Sequence, residues 1–411
     1  IWSPEMDAHV ELLARIAQPA DSRIVLLVLD GVGDLRTAEQ PETALDRART
    51  PHLDRLAAEG ALGRIVPVTR GVTPGSGPGH LALFGLDPAR PETDIGRGVL
   101  EALGLGLEIT AEDIAARGNF ASADADGNVT DRRAGRISTA ECQRVCDLLQ
   151  EAADAFEPLE VRIVPGEGHR FVLLASGEEA SAELADTDPQ RTGVPPLDPR
   201  ATASEGEAMA KKIGFLIELL NAAIADEPRA NRVLLRGFSR LPDLPSFKEL
   251  YQLDAGAFAG YPLYRGVASC CGMEVVPCGK HLAEMVPVVA ESWDRFGFFF
   301  VHVKQTDAAG EDGNLDAKVA VLEEVDEALP ELMALGPDVV AVTGDHSTPA
   351  PMRAHSWHPV PLLVWGSDVF VDDCEAFTEV AATRGHLGTF PSREMLGLLL
   401  GHAGRLAKYG A

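Results

Sequence analysis

Asp345 and His346, with His355 shortly after them, bring one carboxylate and two imidazoles together, a donor set suited to zinc, manganese or iron. They follow Val339-Val340-Ala341-Val342-Thr343-Gly344. Those apolar, β-favouring residues predict a buried strand, and the glycine permits a tight exit. In open α/β sheets, ligands bind beyond the C-terminal ends of the strands. A helix-capping Asp beside solvated histidines would look the same in isolation, so other strands that end alike decide between the two readings.

Two other strands do end alike. Arg23-Ile24-Val25-Leu26-Leu27-Val28-Leu29 is an apolar run of the kind buried on both faces of a parallel sheet, and it stops at Asp30-Gly31. Phe298-Phe299-Phe300-Val301-His302-Val303-Lys304 stops at Gln305-Thr306-Asp307. If the three strands are parallel neighbours, Asp30, Asp307 and Asp345 meet on one rim with His346 and His355. Carboxylates that close raise one another's pKa unless a cation compensates. A set of this size has room for two ions, and a two-metal clamp stabilises both oxygens of an in-line phosphoryl displacement. Ser76 lies in Thr73-Pro74-Gly75-Ser76-Gly77-Pro78-Gly79-His80, ahead of a helix-like stretch. Amides and dipole at a helix start favour phosphate, and a nearby metal would turn the hydroxyl into a nucleophile. A plain N-cap serine is the alternative reading. His80 reads as a packing or supporting histidine.

The elements that must position these groups follow an α/β rhythm. A lead-in amphipathic helix over residues 5–18 precedes the first strand, and Thr50-Pro51 opens a helix with Thr50 as N-cap and proline first inside. Val319 to Leu332 is an amphipathic helix just before the strand at 339. Between about 105 and 200 the texture changes to short strands at 161–164 and 171–174, with turn-rich loops and the arginine-rich Thr130-Asp131-Arg132-Arg133-Ala134-Gly135-Arg136. This predicts a small α+β insertion, dividing the chain into 1–104, 105–200 and 201–411. The helix over 201–225 and the strand Arg232-Val233-Leu234-Leu235 read as a resumption of the main domain. At 411 residues and 45% hydrophobic, the chain can bury a large core. A formal net charge of −27 argues against nucleic-acid or anionic-membrane partners. Six cysteines without Cys-x-x-Cys spacing suit a reducing cytoplasm, and Cys142 and Cys146 read as packing residues. No apolar run reaches the ~20 residues of a membrane span, and Ile1-Trp2-Ser3-Pro4-Glu5 does not read as a signal peptide.

Across these landmarks the chain closely resembles the archaeal-type cofactor-independent (2,3-bisphosphoglycerate-independent) phosphoglycerate mutases of the alkaline phosphatase superfamily. The shared blocks run almost end to end: Leu29-Asp30-Gly31, Thr73-Pro74-Gly75-Ser76, Gly96-Arg97-Gly98, Arg117-Gly118-Asn119-Phe120, Asp131-Arg132-Arg133-Ala134-Gly135-Arg136, Leu235-Arg236-Gly237, Pro245-Ser246-Phe247-Lys248-Glu249, Tyr264-Arg265-Gly266, Lys304-Gln305-Thr306-Asp307 and Thr343-Gly344-Asp345-His346. The resemblance implies an alkaline-phosphatase-like, mostly parallel sheet flanked by helices, with an inserted transferase-like substrate domain. It implies an isomerase of glycolysis and gluconeogenesis that interconverts 3-phosphoglycerate and 2-phosphoglycerate through a phosphoserine on Ser76, without 2,3-bisphosphoglycerate. One ion would take Ser76, Asp30, Asp345 and His346; the other would take Asp307 and His355. Arg133 and Arg136, then Arg97, Arg117, Arg236 and Lys248, would hold the carboxylate and phosphate of the three-carbon acid, as guanidinium forks can.

The family pattern after Asp307 is Asp-x-x-x-His, whereas this chain has Glu311 at the histidine position. A carboxylate there favours manganese or magnesium over zinc, making manganese the first expectation, ahead of magnesium, cobalt or zinc. His358 is an alternative replacement. The alternatives to the mutase are a phosphomonoester hydrolase with the same nucleophile and metals, and a non-catalytic paralogue with an impaired second metal site.

Overall fold

The computed structural model describes residues 7–410. The readings of the extreme N-terminus lie outside that range; the lead-in helix is observed as Ala8–Ile16. Thirteen strands run among the described residues: β1 (Ile24–Leu29), β2 (Ala61–Val66), β3 (Ile114–Ala123), β4 (Val129–Asp131), β5 (Glu160–Pro165), β6 (Arg170–Ser176), β7 (Arg232–Ser239), β8 (Ala255–Ala259), β9 (Glu274–Val275), β10 (Phe298–Val303), β11 (Val339–Thr343), β12 (Val360–Gly366) and β13 (Gly388–Pro391). They form two sheets in two compact units, Ile1–Asp94 with Leu244–Ala411, and Ile95–Asp243.

The first unit holds an eight-stranded sheet in the order β13-β2-β12-β11-β1-β10-β8-β9. β1 lies at its centre, parallel to both β10 and β11, while only β12 runs antiparallel to its neighbours. Every residue of β1, β10 and β11 is buried, which explains why all three read as unbroken apolar runs. Register sets Leu29 beside Val303 and Val28 beside Thr343, so the three strands end level and deliver the chain to one rim. Pro51 does open its helix at the first position, although the Thr50 side chain makes no capping hydrogen bond. No helix among the described residues is long and apolar enough to cross a membrane.

The second unit is an antiparallel sheet in the order β4-β3-β6-β5, with β7 added to β3. Helices Thr139–Ala153 and Glu207–Ala223 supply its core through Cys142, Val145, Cys146 and Leu149, and through Met209, Ile213, Leu216 and Leu220. These spacings are one face of a helix, and both cysteines pack there. The unit extends outward of the 105–200 read from the sequence. The helix after 201 and β7 belong to it, because β7 pairs antiparallel with β3 (Gly118 with Leu235). A short Val-Leu-Leu run fits either sheet; only its partner assigns it.

Candidate metal and phosphoryl-transfer centre

Asp30, Asp345 and His346 are fully buried at the rim, with Asp30 N–H bonded to Val303 O of the adjacent strand (2.9 Å) and Thr306 Oγ1 donating to Asp30 O (2.5 Å). His346 Nε2 lies 3.2 Å from Asp345 Oδ2, 3.4 Å from Asp30 Oδ1 and 3.4 Å from Ser76 Oγ. Four potential ligand groups therefore surround one point. Both oxygens of Asp30 and Asp345 Oδ2 are buried without a hydrogen bond, an arrangement costly for carboxylates unless a cation sits among them. The donor set thus fits a divalent ion.

Ser76 is the first residue of the helix Ser76–Leu83, after Gly75 as N-cap. That helix can approach because residue 79 is glycine: a Cβ there would meet Asp345 O at 2.5 Å. Gly31, at φ +61, plays the corresponding part after β1, since a Cβ would strike Thr348 Oγ1 at 2.5 Å and Asp307 Oδ1 at 2.7 Å.

Asp307 stands in the first turn of the helix Gln305–Glu311. Its Oδ1 lies 3.5 Å from His355 Nε2, and Glu311 Oε1 lies 3.7 Å from the same nitrogen. Asp307 and Glu311, one helical turn apart, thus both reach His355, with the Glu311 side chain 54% exposed. His355 Nδ1 is 3.1 Å from Pro74 O; the carbonyl can only accept, so Nδ1 carries the proton and Nε2 is free to ligate. His346 and His355 stack with ring centroids 3.6 Å apart. His358 bonds Ser356 Oγ (3.0 Å) and stacks on Trp357 instead.

Several supporting residues escaped the sequence reading. His302 Nε2 lies 3.2 Å from Asp30 Oδ2, with Tyr264 stacked on the imidazole at 3.7 Å. His80 Nδ1 faces Ser76 O (2.8 Å) and Asp345 Oδ2 (3.2 Å), the supporting role expected of it. Lys304 Nζ ion-pairs with Asp307 and approaches Asp30 Oδ2 at 3.3 Å. Burial opposes ionisation of Asp30, yet His302, Lys304 and His346 hold its carboxyl well below the usual range. Burial and the Asp30 charge are likewise outweighed at Asp345 by His346 and His80. Burial, with His80 adding to it, depresses His302 against the pull of Asp30 and Asp345, and burial followed by the Asp30 and Asp345 charges pushes the Tyr264 phenol up. Lys304 is held protonated against burial by Asp30 and Asp307.

Within the second unit Arg117, Arg170 and Arg236 lie on one sheet. Arg117 of β3 sits beside Arg236 of β7, and Asn119 beside Arg170 of β6. Arg117 Nε, Arg170 Nε and Asn119 Oδ1 are buried without a hydrogen bond. Burial depresses Arg117, and Arg170, Arg97 and Arg236 add to the effect. Burial and then Arg170, Arg133, Arg117 and Arg136 push His169 down to about 4. Glu101 Oε2, 3.6 Å from Arg117 Nε, is the carboxylate paired with Arg117, and the positive charge gathered around that arginine is the chemistry of an anion site. Arg170 and His169 were visible only as a polar pair between two short strands. Arg133 and Arg136 flank Ala134 and Gly135, and residues 134–136 all take left-handed φ, backbone strain of a kind that gathers at functional sites. Arg236 also reaches Asp186 (3.3 Å) and Asp188 (3.6 Å). Lys248 belongs to the first unit, exposed and paired with Asp254 at 2.8 Å.

Residues 57–229 match the family model described as 2,3-bisphosphoglycerate-independent phosphoglycerate mutase. A Thermus thermophilus protein named "Probable 2,3-bisphosphoglycerate-independent phosphoglycerate mutase" is 49% identical over 403 residues, 97% of this chain and 99% of that one. A Thermotoga maritima protein of the same name is 45% identical over 401 residues, 98% and 99% of the two chains. Among solved structures, a Pyrococcus horikoshii protein superposes with a TM-score of 0.81 at 27% identity, covering 95% of this chain and 99% of that one. The cofactor-independent phosphoglycerate mutase of Thermoplasma acidophilum gives 0.71 at 28%, covering 93% and 100%.

Proposed function

Because the chain belongs to the 2,3-bisphosphoglycerate-independent phosphoglycerate mutase family, we propose that it is the isomerase that interconverts 3-phosphoglycerate and 2-phosphoglycerate by way of a phosphoserine at Ser76. The observation that carries this reading is the convergence of Ser76 Oγ, Asp30 Oδ1 and Asp345 Oδ2 on His346 Nε2.

Ser76, Asp30, Asp345 and His346 would hold one divalent ion, and Asp307, Glu311 and His355 a second, manganese first among manganese, magnesium, cobalt and zinc. When bound, such ions neutralise phosphoryl oxygens and lower the pKa of a hydroxyl. Ser76 Oγ attacks phosphorus, the P–O bond to the substrate's 3-oxygen breaks, and the proton Ser76 loses is balanced by the one the departing oxygen gains. The glycerate then turns, its 2-hydroxyl takes the phosphoryl group, and Ser76 is regenerated. His346 Nε2 faces Asp30, Asp345 and Ser76 together and in this reading would be a ligand of the ion, so it is not assigned the role of base. Arg97, Arg117, Arg133, Arg136, Arg170 and Arg236 provide the fork-like donors a carboxylate or phosphate requires; they keep the glycerate bound while it turns, which a hydrolase has no need to do. Lys248 is the weakest member of this set, being engaged by Asp254. A role in glycolysis and gluconeogenesis and a cytoplasmic setting complete the reading, the latter supported by six cysteines that are all free thiols.

Incubation with 3-phosphoglycerate and manganese, without 2,3-bisphosphoglycerate, is expected to yield 2-phosphoglycerate. Release of free phosphate alone would turn the assignment to a hydrolase. Ser76→Ala should lower kcat by more than about a thousandfold, the scale of losing a covalent nucleophile; unchanged turnover would remove Ser76 from that role.

A further inference from the structure

Lys318 occupies a core position. On the helix Leu315–Met333 it heads the stripe Lys318, Leu322, Val325, Leu329 and Leu332, all buried, and it is itself 0% exposed. An ammonium in such a place is tolerated only when every N–H finds an acceptor. Here the three acceptors are Gly31 O (2.9 Å), Gly33 O (3.2 Å) and Thr348 O (2.9 Å). Two of these carbonyls follow Asp30, and the third follows His346. Thr348 N–H bonds the same Gly31 O and Gly33 O at 3.2 and 3.1 Å, so lysine and threonine close one cage between the loops after β1 and β11.

The threonine hydroxyl faces both candidate metal sets. Thr348 Oγ1 donates to Asp307 Oδ1 at 2.5 Å and lies 3.0 Å from His346 Nδ1. A hydroxyl has one hydrogen, and an ionised carboxylate can only accept. With that hydrogen given to Asp307, His346 Nδ1 must carry its own proton and donate it to Thr348, leaving Nε2 bare toward Asp30, Asp345 and Ser76. The same logic keeps His346 out of the second set: its Nδ1 lies 3.9 Å from Asp307 Oδ1 but is committed to the threonine.

We propose that Lys318 and Thr348 form a positioning relay, in which the buried ammonium fixes the Thr348 backbone and the Thr348 hydroxyl sets the His346 tautomer and the orientation of Asp307 together. The inference rests on the two-metal reading above. Neither residue touches substrate; both act through the ligands, as outer partners of metal ligands do.

The test is calorimetric titration of the purified full chain with Mn(II), for wild type, Thr348→Val, Thr348→Ser and Lys318→Met, with folding of each checked by circular dichroism. Thr348→Val keeps the shape and removes the hydroxyl; both Mn(II) affinities should fall about ten- to a hundredfold. Thr348→Ser restores the hydroxyl and should return them to within about threefold of wild type. Lys318→Met should fall with Thr348→Val; if it does not fold, the threonine pair carries the test. Wild-type affinities in Thr348→Val, or a serine variant as weak as the valine one, would overturn the relay alone. A wild-type protein that takes up no Mn(II) would overturn the two-metal reading and the relay with it.

Discussion

Glu311 stands where the family pattern has a histidine, the larger of two departures, the smaller being Gly77 and Gly79 around the Ser76 turn. The Glu311 carboxylate approaches His355 Nε2 at 3.7 Å from the helix turn below Asp307, so the proposed second set would be two carboxylates and one imidazole. Oxygen-rich sets favour manganese and magnesium, while added nitrogen favours zinc. Glu311→Ala is expected to reduce manganese retained after gel filtration from two ions per chain toward one. Glu311→His should instead raise zinc affinity relative to manganese in competition titrations. Stoichiometry unaffected by the alanine variant would remove Glu311 from the ligand set. At this scale the sequence was informative wherever a polar residue interrupts an apolar strand end, as at Asp30, Asp345 and His346. It was silent where a functional group sits inside an apolar pattern. His302 is flanked by phenylalanines and valines, and Lys318 by a helix that is acidic on its other faces. Thr348 and Tyr264 look like any polar loop residue or aromatic until their neighbours are known.

Among the elements, adjacency was the missing quantity. The apolar runs marked β1, β10 and β11, but nothing in them says that β1 lies between the other two, which is what makes the three carboxylates converge. The same ambiguity placed the 201–225 helix and β7 with the wrong sheet. The short helix Glu379–Ala382 shows how an unremarked element can brace the rim from outside. Glu379 Oε1 accepts from Asp34 N–H at 3.0 Å and Oε2 from Thr43 Oγ1 at 2.7 Å. Burial pushes its pKa up to about 7, with the Asp34 charge adding to the effect and Thr43 and Lys318 opposing it. Between its ordinary value of 4.5 and about 7, the folded state therefore binds more proton than the unfolded one. Its stabilising contribution is full below the lower value and is lost as pH rises through the upper. Glu379→Gln should flatten that dependence: in thermal melts from pH 5 to 8, the variant should gain on wild type as pH rises. Parallel melting curves across that range would show that Glu379 titrates as an ordinary exposed carboxylate.

For the whole molecule, the division of chemistry follows the division of the chain. Every candidate metal ligand lies in the unit built from Ile1–Asp94 and Leu244–Ala411, and every candidate arginine lies in Ile95–Asp243. Composition foretold neither assignment, since an overall charge of −27 conceals a basic sheet. The separation makes metal binding readable by location. An ion that binds only the folded state stabilises it by RT ln(1 + [L]/Kd), about 2.7 kcal/mol at a hundred times Kd, and slowly exchanging amides report that gain where the ion acts. In hydrogen exchange, saturating Mn(II) should slow the amides of β1, β10 and β11 by up to about a hundredfold relative to chelator-treated protein, leaving those of β3, β6 and β7 unchanged. 3-Phosphoglycerate added alone should reverse the order, because its carboxylate and phosphate match the guanidinium groups of Arg117, Arg170 and Arg236 before any ion is present. Equal protection of both sheets by Mn(II) alone would mean that the metal's stabilisation is not local to the rim where its ligands converge.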